Sequence, residues 1–432
     1  MEQIYQQYLL SRKVTTDSRN CPPGSIYFSL KGERFDGNEF ALEALSKGCE
    51  MAVVDDVRLK NEKGCIWVSD ALEALQSLAR HHRQASGVKV IGITGSNGKT
   101  TTKELMAQVL SRKYKVWFTQ GNLNNHIGVP LTLLSMPEAT EMVVLEMGAN
   151  HQGEIARLCE IGRPDFGLIT NVGKAHIEGF GSFEGIKIGK GELYRFLKRE
   201  GRPVFINREN AHLKEMLGTG FEDAFQYGTG DACDVKGSGA RVNPFLSFFW
   251  QRKGVSEPFE QQTQLTGIYN LENALAAIAV GIFFGVSDAD IHAAIAAYQP
   301  ANQRSQVVKT GTNKIIMDAY NANPSSMAVA LENFRSIPAE KRVVVLGGMK
   351  ELGIESSAEH QILMDQLKAM APDLAFLVGP EFKELVPKTK GYFWFESGEA
   401  LIRHLTSHPV ENALVLVKGS RANQLEKALS VL

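Results

Sequence analysis

The run from Val88 to Lys113, VKVIGITGSNGKTTTKELMAQVLSRK, constrains this chain more than any other stretch. Val88–Thr94 is short and apolar and predicts a buried strand. Gly95-Ser96-Asn97-Gly98-Lys99-Thr100 predicts a tight turn, and Leu105, Met106, Val109 and Leu110 recur at helical spacing. A glycine turn between a strand and a helix lets backbone N–H groups and the positive end of the helix dipole hold phosphate oxygens. In that setting Lys99 reaches the β- and γ-phosphates, and the hydroxyl of Thr100 or Thr101 sits on Mg²⁺. The spacing departs from a Walker A loop, which needs Gly or Ala five residues before Gly98. Ile93 stands there, and Gly92 comes one residue too early. The turn is read as an ATP site, with a plain glycine turn as the alternative.

A chain of 432 residues is expected to form roughly two to four domains, each with its own core. With 22% charged and 44% hydrophobic residues it has the composition of an ordinary enzyme, and a net charge of −1 gives no basic field for nucleic acid. Cys21, Cys49, Cys65, Cys159 and Cys233 are scattered without CxxC spacing, which predicts free thiols in a reducing compartment and argues against zinc. The start, MEQIYQQYLLSRK, has no apolar signal core, and no run is long enough to span a bilayer. A cytoplasmic location without membrane insertion is expected.

Three units follow from the patterning: residues 1–84, 85–299 and 300–432. In the first, Ser25–Leu30 reads as an alternating strand, Ala41–Lys47 as a helix, Met51–Val54 as a strand and Asp70–Ala85 as a longer helix. Ser18-Arg19 is either a surface turn or a hydroxyl and guanidinium presented to a diphosphate. In the second, Met142–Met147 is an apolar strand that carries Glu146 near its end. That carboxylate is either a strand-end residue or a magnesium ligand beside the phosphate loop. The strand Phe166–Thr170 ends ahead of His176, and Ile186–Phe196 reads as a helix in which Lys190, by itself, is a solvated lysine. Gly228–Phe259 looks like β-ribbon. Asn270 and Asn273 open a long apolar helix, either as caps or as an amide reading an adenine edge. The third unit opens near Ala301 and alternates strands (Lys314–Met317, Val343–Leu346, Leu374–Val378, Ala413–Val417) with helices, which predicts a parallel, Rossmann-like sheet. The fold class expected is therefore α/β: a small α/β N-terminal domain, a central P-loop ATPase-like parallel-sheet domain, and a C-terminal Rossmann-like domain.

The runs TGSNGKTTTKE, NLNNHIGVPLTLL, EMGANHQGEI, AHIEGFGS…KGE, DAYNANPSSM and VKGSRA resemble, in order and over essentially the whole chain, the Mur ligases. Within that family they are most similar to the members that add D-alanyl-D-alanine to UDP-MurNAc-tripeptide. The family's phosphate loop shares the shortened spacing. The resemblance implies that Gly95, Ser96, Asn97, Gly98, Lys99, Thr100 and Thr101 bind ATP, with Asn273 at the adenine, Arg304 at the phosphates and Asp318 at the ribose. It implies Thr100, Glu146 and His176 as magnesium ligands, joined by Lys190 in a carbamylated form, and a catalytic role for Lys99, Lys190 and His176. Ser18, Arg19, Lys31 and Asn125 would face the UDP-linked substrate. Tyr320, Asn321, Lys418 and Arg421 would face D-Ala-D-Ala, whose methyl groups Met349 or Leu352 would cover. Two positions depart from the family pattern: Tyr269 stands where His is frequent, and Gly348 where Asp is frequent.

The activity implied is amide formation through an acyl phosphate, with ATP and Mg²⁺, by a monomer acting on small-molecule substrates. The rivals are another Mur ligase or a folylpolyglutamate synthase, and, from a different class, a P-loop switch or motor that binds a macromolecule.

Overall fold

The computed structural model describes residues 1–219, 223–300 and 303–432, so the expected opening of the third unit near Ala301 lies outside the described residues. The N-terminal unit is a four-stranded parallel sheet, Val14–Thr15, Ile26–Phe28, Met51–Val54 and Cys65–Trp67 in spatial order. Ile26–Phe28 does not alternate: all three residues are buried, because the strand has neighbours on both edges and is covered on both faces. The long helix Ala71–Ser86 begins at Asp70, whose carboxylate accepts from Glu73 N–H, and stops at Gly87 with φ 64°.

Nine strands form the central sheet. From one edge the order is Val116–Phe118, Met142–Glu146, Lys89–Thr94, Phe166–Ile169, Val204–Asn207, Phe225–Gly228 and Val235–Val242, all parallel. Leu246–Arg252 and Phe259–Gln262 then extend it antiparallel. The expected β-ribbon is thus not a separate appendage; it is the far edge of the same sheet. Its alternation is real, with Leu246, Phe248 and Trp250 buried and Phe249 exposed. The inner strands are apolar throughout because both faces are packed. Val90, Val143 and Leu145 join one core layer, and Ile91, Ile93, Met142 and Val144 the other.

The C-terminal unit is a six-stranded sheet in the order Gln306–Thr310, Asn313–Asp318, Leu414–Lys418, Arg342–Gly347, Leu374–Val378 and Tyr392–Phe395. Five strands are parallel, and Gln306–Thr310 pairs antiparallel at the edge. Sequence reading misses both edge strands, which are half-exposed and lack the continuous apolar character of the inner ones. Among the described residues no helix is long and apolar enough to cross a membrane.

A buried ion pair helps to fasten the N-terminal unit to the central unit, and the two units also share one hydrophobic core. Arg83, at the end of the long helix, donates to Asp165 Oδ2 at 2.5 Å and to the Arg163 carbonyl at 3.1 Å. Asp165 also accepts from Val90 N–H at 3.0 Å. Only 8% of the Arg83 side chain is exposed. Asp165→Ala therefore leaves a buried guanidinium without its counter-ion, and a stability loss of about 3 kcal/mol is expected in urea unfolding. Wild-type unfolding behaviour would show that the pair fastens nothing.

Candidate active site

The three units meet around a cavity of about 930 Å³ at the carboxyl end of the central strands. On its floor lies the phosphate loop. Gly95 has φ 141°, and a Cβ there would lie 2.0 Å from Thr170 Oγ1; Gly98 has φ 79°, and a Cβ would meet Asn273 Oδ1 at 2.4 Å. Both positions need glycine, for conformation and for space. The loop is held from the next strand: Asn171 accepts from Ser96 N–H and Asn97 N–H, each at 3.0 Å, and Thr170 Oγ1 donates to the Asn97 carbonyl at 2.6 Å. Two loop amides are thereby committed. The helix Lys99–Leu110 has no side-chain cap, so its first-turn N–H groups are the donors left for an anion.

Lys99 folds back over the loop, with Nζ 2.7 Å from the Gly95 carbonyl and 3.3 Å from that of Ser96. Burial lowers its pKa, the Glu146 charge opposes that shift, and Arg304 adds to it. Glu146 ends its strand with 1% exposure. It accepts from Thr100 Oγ1 at 3.0 Å and from Asn124 Nδ2 at 2.8 Å. The Lys103 ammonium, itself buried, lies 3.6 Å away. Burial pushes the Glu146 pKa up, yet Lys103, Lys99 and Arg304 together bring it below the ordinary carboxylate value. Lys103 escaped sequence reading. The signal for Lys103 is its position one helical turn after Lys99, on the face that meets the strand end.

Of the expected metal ligands, Thr100, Glu146 and His176 line the cavity. Among the described residues, no three His, Cys, Asp or Glu side chains converge. Thr100 and Glu146 face the cavity together and supply the hard oxygen donors that magnesium prefers. His176, with φ 56°, lines the cavity but pairs through Nδ1 with Glu351 of the C-terminal unit. Lys190 sits behind the wall, 1% exposed, and so is not the solvated lysine its sequence context suggests. Its Nζ donates to the Ala149 carbonyl at 3.0 Å and lies 5.0 Å from the centre of the Phe180 ring. It has no ion-pair partner among the described residues, and burial holds its pKa well below the usual lysine value. The nearby Glu192 is spent on structure, accepting from Gly153 N–H and Ala156 N–H at the start of the helix Glu154–Gly162.

Asn273 lines the cavity with its amide already engaged, accepting from Thr102 Oγ1 at 3.0 Å and donating to Asn270 Oδ1 at 2.8 Å. Asn125 also lines it, but its side chain caps Ile127 N–H and Gly128 N–H. Across the cavity the C-terminal unit presents Arg304, Asp318, Tyr320, Asn321 and Lys418. Asp318 and Lys418, expected in two different subsites, form one ion pair at 2.6 Å, with Lys418 only 2% exposed. Tyr320 lies under two guanidinium groups, Arg304 at 3.9 Å and Arg421 at 5.7 Å from the ring centre. Met349 and Leu352 are corrected outright: both are buried in the C-terminal core and cannot cover a ligand. At Gly348 a Cβ would lie 2.2 Å from Glu381 Oε2, so a side chain there would displace the end of Glu381, which pairs with Lys350.

Ser18, Arg19 and Lys31 stand apart from this cavity on the N-terminal unit. Arg19 is chelated by Asp17, at 2.9 and 2.8 Å, with 86% of its side chain exposed, and Lys31 pairs with Asp55 at 2.8 Å. From that unit it is Leu72 that reaches the cavity.

Family models match the chain in three consecutive stretches: Mur ligase family, catalytic domain, over residues 12–83; Mur ligase middle domain, over 93–281; and Mur ligase, glutamate ligase domain, over 303–421. The UDP-N-acetylmuramoyl-tripeptide–D-alanyl-D-alanine ligase of Bacillus subtilis is 35% identical over 98% of this chain and 93% of its own. A crystal structure of MurF from Acinetobacter baumannii superposes with a TM-score of 0.87 at 31% identity, covering 97% of this chain and 92% of that one. MurF from Thermotoga maritima in complex with ADP gives a TM-score of 0.86 at 28% identity, covering 98% and 97%. With all three units matched in order, and with the phosphate loop and buried carboxylate in place, this chain belongs to the Mur ligase family.

Proposed function

We propose that this protein is an ATP-dependent ligase that joins D-alanyl-D-alanine to UDP-MurNAc-tripeptide, giving the pentapeptide, ADP and phosphate. The observation that carries the reading is the single cavity in which the phosphate loop and Glu146 face the Arg304, Tyr320 and Asp318–Lys418 edge of the C-terminal sheet. The full-length similarity to ligases named for that reaction supports the choice of substrates.

An amide cannot form by expelling hydroxide, so the tripeptide carboxylate must first be activated. A carboxylate oxygen attacks the γ-phosphorus of ATP, the bond to the β-phosphate oxygen breaks, and ADP leaves. The dipeptide amine then attacks the acyl carbon, loses a proton, and the tetrahedral intermediate collapses with release of phosphate. Lys99 and Arg304 stabilise the charge on the transferring phosphoryl group, and the first-turn N–H groups of the helix Lys99–Leu110 hold the chain of phosphates. Thr100 and Glu146 would hold Mg²⁺, which when bound neutralises phosphate charge. Closure of the units over the cavity excludes water, which would otherwise hydrolyse the acyl phosphate.

Lys190 is proposed to carry a carbamate. Its amine is buried and has no counter-ion among the described residues, and a neutral lysine is the form that adds to CO₂, giving an anionic carbamate and a proton. Arg421 is proposed to clamp the dipeptide carboxylate; it is the one expected dipeptide-side cation not tied up in the Asp318–Lys418 pair. Ser18, Arg19 and Lys31 keep the UDP-end reading, with Arg19 exchanging Asp17 for a diphosphate. A monomer in the cytoplasm, where ATP is available, accompanies this reading.

Phosphate release from ATP should require UDP-MurNAc-tripeptide and rise with D-Ala-D-Ala; turnover driven by a macromolecule alone would favour a switch or motor. Lys99→Ala should lose at least about a hundredfold in kcat with an unchanged circular dichroism spectrum. Arg421→Ala should raise the KM for D-Ala-D-Ala by roughly tenfold or more while leaving that for ATP within about twofold. For Lys190, enzyme kept in ¹³C-bicarbonate should show a carbamate resonance that Lys190→Ala lacks, and acetate should restore part of the mutant's activity. A spectrum without that resonance counts against the carbamate.

A further inference from the structure

Arg304 sits on a linker whose backbone is held in an unfavourable shape. Gln303 before it has φ 58° and Ser305 after it φ 50°, both left-handed without being glycine. Such conformations persist only where neighbouring contacts hold them. Here the contacts converge on Ser305. Its Oγ shares a hydrogen bond of 2.5 Å with the Tyr269 hydroxyl. Its carbonyl accepts from Thr266 Oγ1 at 3.2 Å, and its N–H donates to Asp318 Oδ1 at 3.2 Å. Tyr269 and Thr266 belong to the central unit, and Asp318 to the C-terminal sheet. Ser305 is therefore where both units grip the linker.

The neighbouring Arg304 has its guanidinium stacked on Tyr320 at 3.9 Å, its Nε buried without a partner, and its charge felt at both Lys99 and Glu146. We infer that the Tyr269 hydroxyl is a positioning group which, through Ser305, fixes where the Arg304 guanidinium lies over the phosphate loop. This rests on the reading of Arg304 as a phosphate-binding residue. Burial and the Asp318 charge push the Tyr269 pKa far above its usual value, so the hydroxyl remains protonated throughout the working range. The ring has its own fixed seat: Gly267 has φ 90°, and a Cβ there would lie 2.2 Å from Tyr269 Cε1. Phenylalanine keeps that packing and removes only the bond to Ser305.

The test compares Tyr269→Phe, Ser305→Ala and Arg304→Ala, singly and as the Tyr269→Phe/Arg304→Ala double variant, in steady-state ligation with thermal unfolding as a control. Tyr269→Phe and Ser305→Ala should each lower kcat by about tenfold, the scale of one lost hydrogen bond, with KM for both non-nucleotide substrates within about twofold and both variants still fully folded at the assay temperature in thermal unfolding. In the Arg304→Ala background Tyr269→Phe should cost nothing further, because the group it positions is gone. Normal kcat in Tyr269→Phe, or the same loss in both backgrounds, overturns the inference. Normal ligation by Arg304→Ala would remove the reading of Arg304 as well, whereas a crippled Arg304→Ala beside an unimpaired Tyr269→Phe removes only the role of Tyr269.

Discussion

Taking a carboxylate out of water is among the least favourable things a fold does, and Glu146 is almost fully out of water. Its charge survives because of what surrounds it. Lys103 comes from the phosphate-loop helix, Thr100 from that helix's first turn, and Asn124 from the loop after the edge strand Val116–Phe118. Even its backbone N–H is fixed, donating to Thr119 Oγ1 at 2.9 Å. The phosphate-loop helix and the loop after the edge strand must both arrive at the end of this strand for the group to remain ionised. The order of strands in the central sheet is what brings them there, placing Met142–Glu146 between the phosphate-loop strand and the edge. Ligand chemistry at the rim then inherits a fixed anion among cations without any rearrangement.

The central unit was legible because its signals are local. A buried parallel strand reads as an apolar run, a glycine turn as a turn, and an amphipathic helix by its period. Glu146 was found for the same reason: a carboxylate on the last residue of an apolar strand stands out against its own sequence. Edge strands such as Gln306–Thr310 and Tyr392–Phe395 were not found, since half-exposed strands lose the pattern that marks inner ones. The DAYNANPSSM run shows how one motif carries two jobs. Asn323 and Ser326 form a reciprocal cap on the helix Pro324–Ser336, and the Asn323 amide also reaches Asn97 Oδ1 at 2.9 Å. Local reading can see the cap; only the assembled fold shows the reach.

Other residues take partners a hundred or more positions away, or lie in burial that their neighbours conceal. His176 looks like a free imidazole after a strand, yet Glu351 holds it. Lys418 looks like a cation waiting for a substrate, yet Asp318, on the adjacent strand, takes it. Lys190 occupies a helix rich in glycine and charge and still ends at 1% exposure, because the helix Phe183–Arg199 lies on the sheet with that face inward. Met349 and Leu352 were read as ligand-facing from their place after a strand, but short apolar side chains there close the top of the C-terminal core instead.

The bond from Asn323 to Asn97 joins the C-terminal unit to the phosphate loop itself, not merely to the central unit's surface. Lys174 adds to that seam, donating through its N–H to Ser325 Oγ at 3.0 Å and through Nζ to Glu359 at 2.6 Å. A loop that helps to form both a nucleotide site and a docking seam makes the two events thermodynamically reciprocal. Whatever free energy nucleotide occupancy contributes to the docked arrangement, docking must return as nucleotide affinity. Docking and occupancy would then be two readings of a single coupling free energy, carried in part by the bond between two asparagines.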